Sequence, residues 1–61
     1  MEGIVEYMVV RASSIDRDSA ISDLERQVNG WIMSGWRPQG GMTLVQHNAN
    51  ASYLATQAMV R

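Results

Sequence analysis

The sequence predicts one α+β domain over residues 1–61, in the order strand, helix, strand, strand. Three observations carry that prediction. A run of β-branched and aromatic residues opens the chain, a segment with helical apolar spacing follows, and two further strand-like runs close it around a short polar turn.

Residues 4–12, IVEYMVVRA, are rich in the side chains that suit a pleated surface. Ile4, Met8 and Val10 fall on one face and Val5, Tyr7 and Val9 on the other. Both faces are apolar, so this strand expects cover on both sides.

A polar break spans Ser13 to Asp18, where Asp16, Asp18 or Ser19 can each cap a helix. Asp16, Asp18 and Asp23 also place negative charge near its positive end. The helix is expected to run to about Ser34. Ile21, Leu24, Val28, Trp31 and Ile32 fall at spacings of three, four and seven and form one apolar stripe. Gly30 lies inside it and costs about 1 kcal/mol relative to alanine, which close packing on the sheet would explain. Gly35 suits a left-handed C-terminal cap, and Pro38 prevents continuation.

A second strand is expected from Gln39 to about Gln46, with Gly40 and Gly41 marking a bulge or close backbone approach near its start. HNAN at 47–50 reads as a turn. SYLATQAMVR then gives a third strand, with Tyr53, Ala55, Gln57 and Met59 on one face and Leu54, Thr56, Ala58 and Val60 on the other.

The short turn makes the last two strands an antiparallel hairpin. The simplest sheet is therefore three-stranded and antiparallel, order 1-3-2, reached by a right-handed crossover through the helix. One helix covers one face. The second face is expected to be buried by oligomerisation, face to face or edge to edge through strand 1 or 2.

Size points the same way. A chain of 61 residues has a marginal core. There is no cysteine, which removes disulfides, thiolate zinc sites and cysteine nucleophiles together. A single histidine, His47, argues against a histidine metal site within one chain. Association remains as the stabilising device. No metal and no cofactor is expected. The start, MEGIVEYMVV, has no basic n-region and too short an apolar run to span a bilayer, so a cytoplasmic, membrane-free protein is expected.

The net charge of −1 argues against duplex nucleic acid as a partner. All six acids lie in the first 25 residues, and from Arg26 onward the only charged residues are Arg26, Arg37 and Arg61. There is no lysine. Arginine recognises carboxylate or phosphate through a planar fork.

No phosphate-binding glycine motif is present, and nothing in the spacing of serine, histidine and acid suggests catalysis, so the chain reads as a non-enzyme. Trp36 beside Arg37 reads first as packing at the helix end with a solvated arginine, and as a ligand site if the indole is exposed, where it could stack a base while the guanidinium holds its phosphate. The expected ligand-binding set is Trp36, Arg37, Gly40, Gly41, His47 and Tyr53, with Arg11 and Arg61 as anion contacts.

The run GWRPQGGMTL, followed by YLATQAMVR, resembles a small bacterial and phage family, domain of unknown function 1737. The matching positions are Val28, Asn29, Gly35, Trp36, Pro38, Gly40, Gly41, Tyr53, Gln57, Ala58 and Met59, and the resemblance, with the strand and helix that precede them, covers nearly the whole chain. Leu54, Ala55 and Thr56 separate Tyr53 from Gln57, a departure from the family's hairpin. The resemblance implies the same strand-helix-strand-strand fold and a phage or mobile-element setting. It transfers no activity.

The leading expectation is a homo-oligomeric binding module that sequesters a nucleotide-type ligand. Two others stand beside it: a protein–protein adaptor or inhibitor of a host protein, and an accessory subunit of an enzyme.

Overall fold

The computed structural model describes residues 6–46 and 52–61. Five elements follow one another: β1 (Tyr7–Ser14), α1 (Arg17–Ile32), β2 (Arg37–Pro38), β3 (Thr43–Gln46) and β4 (Tyr53–Val60). The fold is α+β, with one helix and one antiparallel sheet among the described residues.

The strand order corrects the expected three-stranded 1-3-2 arrangement. Among the described residues there are four strands in the order β1-β4-β2, with β3 also bonded to β4. Tyr7 pairs with Val60 and Ser14 with Tyr53 along β1, while Arg37 meets Val60 and Thr43 meets Thr56 on the other flank of β4. Of the one strand the sequence suggests over Gln39–Gln46, only Thr43–Gln46 forms, as β3; β2 lies before it at Arg37–Pro38, and residues 39–42 between them form no strand. The cause is local. Gly40 takes φ +75°, which turns the chain out of the ladder, and the buried Gln57 amide fills the gap by donating to the carbonyls of Gln39 (3.4 Å) and Gly40 (3.0 Å).

The helix begins where Asp16, in extended conformation, accepts from the Ser19 amide at 2.9 Å. Of the three candidate caps, Asp16 holds the position. The helix ends in a Schellman motif. The Gly35 amide donates to Ile32 O at 3.0 Å, the Trp36 amide to Trp31 O at 3.1 Å, and Gly35 sits at φ +95°.

Packing follows from these ends. Val10 and Ala12 of β1, Ala20 and Leu24 of α1, Trp36, and Ala55 and Met59 of β4 form the core, with Met8, Val28, Leu44 and Tyr53 packed against it. Ala20 and Leu24 rather than the later turns anchor the stripe. Trp31, expected inside it, is 41% exposed, and Trp36, whose place in the ligand-binding set required an exposed indole, is only 7% exposed. The Schellman geometry explains the exchange: it places the two indoles edge to face with centroids 6.1 Å apart, and the one beyond the turn folds under the helix. Gly30 is also a correction. A Cβ there would meet nothing within 4 Å, so close packing does not account for it.

His47 and the HNAN turn, like Ile4 and Val5, lie outside the described residues.

Candidate functional site

Alternation along the strands divides the described surface into two unlike sides. Met8, Val10 and Ala12 turn toward the helix, and so do Ala55, Gln57 and Met59. The opposite face carries Tyr7, Val9, Arg11 and Ser13 of β1. Beside them lie Leu54, Thr56, Ala58 and Val60 of β4, with Arg37, Thr43 and Val45 on the far flank. Tyr7 is 64%, Val9 43% and Val45 49% exposed. Arg11 and Arg37 are exposed as well, and no acid lies on this face among the described residues.

The acids gather on the other side. Asp16, Asp18, Asp23 and Glu25 belong to the helix and its cap, where Arg26 pairs with Asp23 at 2.8 Å and Arg17 lies 3.9 Å from Asp18. Among the described residues the open face thus carries two arginines and no acid, while the helix and its cap carry four acids against Arg17 and Arg26. An anion is drawn to the first side and repelled by the second.

The candidate residues do not gather at one point. Arg11 and Arg37 share the open face, on opposite flanks of β4. Trp36 is in the core, and Arg61 lies over its ring at 4.8 Å from the centroid. The Arg61 guanidinium also donates to Glu6 and, at 3.2 Å, to Ser34 O at the helix end, where a cation is favoured. These contacts give Arg61 a structural clasp tying the last strand to the helix. Gly40 and Gly41 lie in the break between β2 and β3. Tyr53 is half-buried beside a polar recess lined by Ile15, Asp16, Arg17 and Asp18.

A cleft of ≈ 320 Å³ opens between helix and loop, lined by Ile21, Leu24, Glu25, Val28, Asn29, Met42 and Gln57. Its volume is at the lower end of small-molecule sites. Its one charged wall residue is Glu25, so it suits a neutral or cationic guest better than a phosphate. Sequence reasoning did not single it out. The available signal was Met42 directly after two glycines, opposite a helix face with Ile21 and Val28.

Among the described residues no group of three histidines, cysteines or acids is placed to hold a metal ion, and no helix is long and apolar enough to cross a membrane. Compared with family models, curated proteins and solved structures, the chain finds no match.

Proposed function

We propose that this chain is a homo-oligomeric, non-enzymatic binding module that captures an anionic, nucleotide-type ligand on the helix-free face of its sheet. One observation carries the reading: Tyr7, Val9 and Val45 stand exposed on a face whose only formal charges among the described residues are Arg11 and Arg37. A phenol ring offers a stacking surface for a planar base, and guanidinium groups offer paired donors for phosphate oxygens. Symmetric repetition supplies the enclosure that one flat face lacks.

Calorimetric titration with ATP, with inorganic phosphate as the comparison, tests the ligand half. Replacing Arg11 and Arg37 together by alanine is expected to weaken ATP binding by tenfold or more, since hydrogen bonds to charged groups contribute about 1.5–3 kcal/mol each. Unchanged affinity in that double variant would remove the face as the site.

A second reading, a protein–protein adaptor, has its own support. Trp31, Ile32 and Met33 are exposed together at the helix end, an apolar cluster of the kind that protein partners cover.

A further inference from the structure

β1 forms one edge of the sheet, and among the described residues it pairs only with β4. Just before it, Glu6 and Arg61 exchange both backbone hydrogen bonds, at 2.9 and 3.1 Å. Antiparallel ladders alternate from such a pair. The even-numbered residues of β1 therefore turn their backbone groups toward β4, and Tyr7, Val9, Arg11 and Ser13 turn theirs outward.

One outward group has a partner among the described residues. The Arg11 carbonyl accepts from the Gln27 side-chain amide at 3.2 Å. This strand of eight residues carries no proline and no lysine, the devices that commonly blunt a free edge.

We infer that this edge pairs antiparallel with the same edge of a second copy, in the register that sets Val9 opposite Val9 of the partner subunit. The inference rests on the homo-oligomeric reading above and names its interface. A two-fold axis at Val9 also sets Tyr7 opposite Arg11 of the partner subunit, and Met8 opposite Val10 of the partner subunit. The register is self-complementary: valine meets valine at the centre, a cation meets an aromatic ring on each side, and no two arginines face one another. Centring the axis on Arg11 instead would set like charges opposite. Three pairs with outward backbone groups make about six hydrogen bonds across the axis. In the lone chain the Gln27 amide occupies the Arg11 carbonyl, and in the pair it gives that acceptor to the Tyr7 amide of the partner subunit.

The consequence for the site is specific. Within one chain Tyr7 and Arg11 are four residues apart along an extended strand, roughly 13 Å, too far to grip one small planar anion. Across the axis their β-carbons come to about 5 Å. Each copy supplies the ring and its partner supplies the guanidinium, so the site is incomplete in a monomer. Both open faces lie on the same side of the joined sheet, with both helices on the other.

The chain has no cysteine, so Val9→Cys introduces its only thiol. Opposed residues of a hydrogen-bonded pair have Cα atoms about 5.5 Å apart, within disulfide reach. Under mild oxidation Val9→Cys is expected to form a covalent dimer on a non-reducing gel, with the native mass unchanged. Val45→Cys, on the far flank of the open face, is expected to stay reduced in the same dimer. A native dimer that links through position 45, or fails to link through position 9, overturns the edge pairing and leaves the oligomer standing. A wild-type monomer at micromolar concentration overturns both.

Discussion

Trp36 is held by three different contacts: the core residues beneath it, the edge of Trp31, and the Arg61 guanidinium over its ring. Trp36→Ala is expected to lose about 3–5 kcal/mol of stability, the range for emptying a buried aromatic site. Urea unfolding of the variant checks this, and a loss below 1 kcal/mol would place the indole outside the core. Trp36 also shows how a residue's environment hides in sequence. Helical spacing puts Trp31 on the apolar stripe and leaves Trp36 past the helix end. The cue to the true arrangement is the pairing of a glycine with an aromatic just after it and another aromatic five residues before, the pattern of a clasped Schellman end. Gln57 was legible as a strand residue sharing a face with Tyr53, Ala55 and Met59. Its role in pinning the Gln39 and Gly40 carbonyls was not, because that bond spans seventeen residues of chain.

At the scale of elements, β1, the helix and β4 were legible because each has a period and local end signals. Asp16 and Gly35 mark the helix limits directly. The break between β2 and β3 was not, because the glycine pair reads equally as the start of a strand or as an interruption, and the buried amide that decides between them comes from β4. Gly30 yields a prediction at this scale. It is exposed within the helix, and a Cβ there meets nothing within 4 Å. Gly30→Ala is therefore expected to stabilise the fold by about 1 kcal/mol through helix propensity alone. A rise in the thermal midpoint checks it; a fall would mean that the glycine serves a contact made in the assembled state.

The described residues form a single sheet with a helix on one side and an arginine-bearing, partly apolar face on the other. That one helix leaves the second face of the sheet uncovered was legible in the sequence. The sequence did not reveal that, among the described residues, the open face carries Arg11 and Arg37 and no acid, since that depends on which strand residues turn toward the helix. On the proposed reading, a second copy of the chain meets the cationic face, the β1 edge that is unpaired among the described residues, and the small core together. Native mass spectrometry of the untagged protein at micromolar concentration tests this most directly. A species at twice the chain mass that resolves into single chains under denaturing conditions is expected; a folded species at the mass of one chain would contradict the pairing of two copies.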